Sequence, residues 1–159
     1  MTLIQKKLET KIGPMFLVVS ENGLRGLLWR KQNVPMIPGT AKMEALLLKV
    51  EQEIAEYLSG SRKSFSIPLD VEGTEFQKRV WNELAKIPYG ETKSYKQIAT
   101  ALKDANACRA VGTANGRNPV SIIVPCHRVI AASGKLAGYA GGIEVKKALL
   151  KIEGLTLRD

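Results

Sequence analysis

A chain of 159 residues allows one domain or two small ones, and 45% hydrophobic with 25% charged residues is a globular composition, not a disordered one. Two cysteines cannot build a disulfide framework, and with the single histidine they cannot fill a four-ligand zinc site without carboxylates, so neither a metal nor a cofactor is expected. The net charge of +9 suits a polyanionic partner or merely a soluble basic surface, and the count alone does not choose.

Residues 3–9, 15–20 and 24–29 are short apolar-rich runs that read as strands. Gly13-Pro14 and Asn22-Gly23 separate them, and Asn-Gly between two such runs signals a hairpin. Pro35 and Pro38 mark a loop. Over residues 41–58, Leu47, Val50, Ile54, Tyr57 and Leu58 recur at helical spacing, and Ser59-Gly60 ends the helix. Residues 63–69 alternate and predict a further strand. Residues 1–70 are thus expected to form an α/β domain, a small antiparallel sheet with a helix.

Beyond Asp70 the pattern changes to short helices, and residues 71–159 are expected to form a second, mostly α domain. Thr74 is a plausible N-cap for a helix carrying Phe76, Val80, Trp81, Leu84 and Ile87, which Pro88-Tyr89-Gly90 breaks. Ser94 with Gln97 three residues on is a capping box. Residues 107–115 predict a third helix, and the pair resembles a helix-turn-helix. Residues 118–130 read as loop and extended chain, and residues 145–152 as a last helix. Residues 1–72 carry 10 basic and 8 acidic side chains and residues 73–159 carry 14 and 7, so the charge belongs mostly to the helical half.

No apolar run is long enough to span a bilayer. Lys6, Lys7 and Glu9 interrupt any secretory core at the start. A soluble, cytoplasmic protein with free thiols and no membrane association is expected.

The single histidine, His127, follows Cys126 in Pro125-Cys126-His127-Arg128-Val129. Neighbours in an extended chain point opposite ways, so on composition alone this reads as a buried thiol beside a surface histidine. The wider context changes that. Phe76-Gln77, Val80-Trp81, Ile87-Pro88-Tyr89-Gly90, Ser94-Tyr95, Arg109-Ala110-Val111-Gly112, Asn118-Pro119, the Cys-His segment, Gly138-Tyr139 and Glu153-Gly154 follow one another over roughly 80 residues. In this ordered set the second half resembles the O6-alkylguanine-DNA alkyltransferases.

The resemblance implies a ribonuclease H-like first domain and a winged-helix-like second one. It also implies direct-reversal repair, in which an alkyl group passes once from O6 of guanine to Cys126, with O4-alkylthymine as a further substrate left open. His127 would take the thiol proton through a water, and Glu153 would orient His127. Tyr95 would donate to the leaving base, and Asn118 would hold the loop before the cysteine. Arg109 would fill the gap left by a flipped base, on a minor-groove helix of small residues with Ala110, Gly112, Thr113 and Asn115; Ser94 and Tyr95 would also meet DNA. Gly112 costs about 1 kcal/mol inside a helix, and close approach to DNA would supply its reason. Pro125, Val129, Tyr139, Ala140 and Ser121 would form or support the pocket, with Ala140 where many relatives carry Ser. Cys108 would be a packed thiol. The partner would be double-stranded DNA carrying O6-alkylguanine, bound by a monomer, with cooperativity along DNA open. The alternative is a non-catalytic binder of alkylated DNA, but such relatives carry Trp where this chain has Cys126.

Overall fold

The computed structural model describes residues 2–157. The chain divides into two compact units, Met1–Glu72 and Gly73–Asp159.

In the first unit, β1 (Ile4–Thr10), β2 (Gly13–Val19) and β3 (Leu24–Leu28) form an antiparallel sheet in that order, and α1 (Ala41–Leu58) packs against β1 and β2. Met15, Leu17 and Val19 alternate to one face of β2 and are fully buried, as are Val50 and Tyr57 of α1. Thr40 caps α1 by accepting from the Met43 N–H, and Gly60, at φ +86°, follows its end.

Two expectations change here and a third gains detail. Gly13 and Pro14 do not separate strands but begin β2, pairing with Thr10 and Glu9, and the turn falls on Lys11 and Ile12. The Asn22-Gly23 hairpin exists, but its connection is the four-residue segment 20–23, closed by the Ser20 N–H on the Gly23 carbonyl. Gly23 has no positive φ to explain it. An added Cβ would stand 2.7 Å from the Pro68 carbonyl oxygen, so crowding requires the glycine. Residues 63–69 form no strand: they make one isolated bridge, Leu24 with Leu69. Pro68 has no N–H to give a ladder, and Ser66 bonds through both its N–H and its hydroxyl to the buried Glu53 carboxylate instead.

In the second unit, α2 (Glu75–Ala85), α3 (Tyr95–Ala101) and α4 (Cys108–Gly116) pack on one another, and α3 with α4 is the helix-turn-helix. Thr74 and Ser94 each close a full capping box, with Gln77 and Gln97. Trp81 joins α2 to α4 by donating from Nε1 to the Ala114 carbonyl at 2.9 Å. Two short strands, β4 (Lys93–Ser94) and β5 (Val129–Ile130), pair in parallel. α5 (Ile143–Ile152) closes the unit. Among the described residues no helix is long and apolar enough to cross a membrane.

Candidate active site

The stretch expected to be loop and extended chain holds a 3-10 turn, Cys126–Arg128, before β5. Three residues per turn send Cys126, His127 and Arg128 in three directions, so adjacency in sequence does not oppose their roles. The approach to this turn is held tightly. Asn118 donates from Nδ2 to the Val124 carbonyl at 2.8 Å and accepts from the Val120 N–H at 3.0 Å. Between them Ile122 is buried at φ +73°, a conformation that costs a β-branched residue of order 1–3 kcal/mol. Asn118 therefore fixes a strained loop that delivers the cysteine.

Cys126 lines a cavity of about 230 Å³ with Tyr95, Gly112, Asn115, Gly116, Gly138, Tyr139 and Ala140. The β4–β5 pairing explains how distant sequence meets there: Ser94 is in register with Ile130, so Tyr95 arrives beside the cysteine segment. Burial pushes the Cys126 thiol up. The polar groups of Asn118 and Tyr139 and the charge of Lys146 oppose that rise.

Behind the cysteine stands a buried ionic cluster. His127 Nε2 and Glu153 Oε2 are 2.7 Å apart, with both side chains fully buried. Arg128 donates from Nε to Glu153 Oε1 at 2.9 Å and from Nη2 to Oε2 at 3.1 Å, and its Nη1 donates to the Ile87 carbonyl. The Gly90 N–H completes the set on Glu153 at 2.9 Å. Burial alone would raise the Glu153 carboxyl. The hydrogen bonds from His127 and Arg128 outweigh it and hold the pKa at about 2. Burial pushes His127 down, so its ring is neutral at neutral pH despite the carboxylate. A neutral ring donating Nε2–H to Glu153 presents Nδ1 as its base.

The other expected residues fall into distinct places. Arg109, Ala110 and Thr113 are exposed on α4, and Ser94 is half-buried at the start of α3. Asn115 is buried, turned to the cavity instead of the outer face of α4, and its Oδ1 has no hydrogen-bond partner among the described residues. Tyr139 and Ala140 line the cavity. Pro125, Ser121 and Val129 are buried but are not among its lining residues. Gly112 lines it too, and an added Cβ would meet the Tyr95 ring at an ordinary 3.8 Å. Nothing inside the unit requires a glycine at 112. Among the described residues no three His, Cys, Asp or Glu side chains gather closely enough to hold a metal ion.

Sequence reasoning missed Arg128 and Lys146. Arg128 stood in plain view beside His127 but carried no signal of its partner 25 residues away. Lys146 did carry one: it lies three and four residues before Leu149 and Leu150, on the apolar face of α5.

Residues 75–155 match the DNA-binding domain of 6-O-methylguanine DNA methyltransferase, and residues 3–71 match the ribonuclease-like domain of the same family. A methylated-DNA–protein-cysteine methyltransferase of Methanosarcina acetivorans is 47% identical over 148 residues, covering 92% of this chain and 95% of its own. The crystal structure of the Mycobacterium tuberculosis O6-methylguanine methyltransferase matches with a TM-score of 0.85 at 42% identity, over 96% of this chain and 93% of that one. The crystal structure of Mycobacterium tuberculosis OGT in complex with DNA gives the same TM-score and identity, over 96% and 92%.

Proposed function

Because the chain belongs to the 6-O-methylguanine DNA methyltransferase family, we propose that it repairs alkylated DNA directly, moving the alkyl group of O6-alkylguanine onto Cys126. The observation that carries this reading is a cysteine on the wall of a solvent-open cavity, backed by a buried His127–Glu153 pair.

The thiol proton passes through a bridging water to Nδ1 of His127, which Glu153 holds in the right tautomer. The Cys126 sulfur then attacks the alkyl carbon. The S–C bond forms as the C–O6 bond breaks, and the bonding pair leaves with guanine. Tyr95 stabilises the departing base by donating its hydroxyl hydrogen bond as charge builds there. Guanine takes up the proton that the thiol gave. The product is a thioether that nothing in the site hydrolyses, so each molecule acts once. O4-alkylthymine, with the same alkyl–oxygen bond, is the second substrate.

The base must leave the duplex to reach a cavity of this kind. Exposed Arg109 on a helix of small residues takes its place in the stack, with the helix in the minor groove. The protein binds as a monomer. Incubation with a duplex radiolabelled on the O6-methyl group tests the reading. At most one equivalent of label moves to the protein, and none to Cys126→Ala; repeated turnover overturns it.

A further inference from the structure

Lys146 is fully buried on α5, and its partners are backbone carbonyls: Val129 at 2.6 Å, Leu136 at 2.5 Å and Gly138 at 3.3 Å. Val129 is the residue after the 3-10 turn that bears Cys126, and Gly138 lines the cavity beside Tyr139 and Ala140. One ammonium therefore ties the strand leaving the cysteine to the segment that walls its cavity. Between two of the tied carbonyls, Ala137 sits at φ +58°, where L residues seldom rest without support.

A tie alone does not need a charge, since a neutral donor can bond to carbonyls. Burying an ammonium against neutral dipoles is costly, and among the described residues Lys146 pairs with no carboxylate. The titratable groups coupled to its charge are Cys126, three residues before the tied Val129 on the same segment, and His127, and only the cysteine can become an anion. We propose that Lys146 is a positioning residue for the alkyl transfer, fixing Val129 and Gly138 about the cavity and serving as the counter-charge of the Cys126 thiolate. Burial pushes Lys146 down to about 8, and the cysteine pulls it back up, so most of it is an ammonium at neutral pH. Once the sulfur is alkylated it carries no charge, and Lys146 loses its partner.

The role rests on the alkyl-transfer reading, but its test uses no DNA. In a Cys108→Ser chain, iodoacetamide alkylates the Cys126 thiolate: an S–C bond forms and iodide leaves. The pH dependence of that rate reports the thiol. Lys146→Met should move the midpoint up by about one pH unit and slow alkylation at neutral pH roughly tenfold, with recovery at higher pH; Lys146→Arg should keep the midpoint. An unchanged midpoint in folded Lys146→Met overturns the proposal, even if methyl transfer from DNA is impaired. The unmutated lysine provides a second measurement should that variant fail to fold. NMR titration of the Lys146 side chain should show a lower midpoint after Cys126 is carboxamidomethylated, and identical titrations would overturn the proposal. Loss of methyl transfer with this coupling intact would strike the repair reading alone.

Discussion

Arg128 grips both carboxylate oxygens of Glu153 in a fork, at 2.9 and 3.1 Å, while His127, the residue before it, holds one of the same oxygens at 2.7 Å. The two neighbours of the nucleophile's turn thus share one anion. The arginine keeps Glu153 ionised, and the ionised Glu153 keeps the Nε2–H tautomer of His127.

Glu153→Gln should therefore be a stability variant as well as a rate variant. It leaves Arg128 buried without its anion, which costs about 3–5 kcal/mol. Urea denaturation at neutral pH measures this, and a loss below about 1 kcal/mol would contradict the account.

Acid should act on the same cluster. Glu153 titrates near 2 in the folded chain against an ordinary 4.5, so its stabilisation is complete above 4.5 and is lost as the pH falls toward 2. The linkage is worth roughly 3 kcal/mol. Burial depresses His127, so below its ordinary value of 6.5 the unfolded chain takes the proton first, and stability falls there too. Denaturation midpoints measured from pH 7 down to 3 should decline throughout for the unmutated chain. In Glu153→Gln the acid limb should flatten.

Much of this cluster was hidden from the sequence for a physical reason. Capping boxes, apolar spacing and Gly60 are local signals, and α1, α2 and α3 follow them closely. The Arg128–Glu153 fork and the Lys146 carbonyl ties are tertiary, made by residues whose own neighbourhoods give no reason for burying a charge. Residues 63–69 failed in the opposite way. Phe65 and Ile67 do alternate inward, but Pro68 and the Glu53 carboxylate took the backbone groups a strand needs. The family motifs marked Cys126, His127 and Glu153 by position, while Asn115 turned inward from a helix face expected to meet DNA.

A substitution at Gly112 should separate folding from the proposed function. An Ala there meets Tyr95 at an ordinary distance and removes the helix cost of glycine, so Gly112→Ala should be more stable by up to about 1 kcal/mol. Its methyl would project at the cavity and the proposed DNA face, so reaction with alkylated duplex should slow at least tenfold. Thermal melting and single-turnover rates check the two halves. A stable, fully active variant would remove the proposed reason for this glycine.

Arg109→Ala should keep its rate on free O6-benzylguanine and lose it on duplex DNA, because the exposed arginine is proposed to hold the flipped state and not to touch the chemistry. Equal losses on both substrates would count against that role. Affinity for the duplex should also fall steeply with salt, as phosphate contacts require.

The most direct measurement is the mass of the intact protein, and of its peptides, after reaction with excess duplex containing one O6-methylguanine. One methyl group should be added per molecule, on the peptide containing Cys126, with unmodified guanine left in the DNA. Methyl on Cys108, or guanine restored with the protein mass unchanged, would contradict transfer to Cys126.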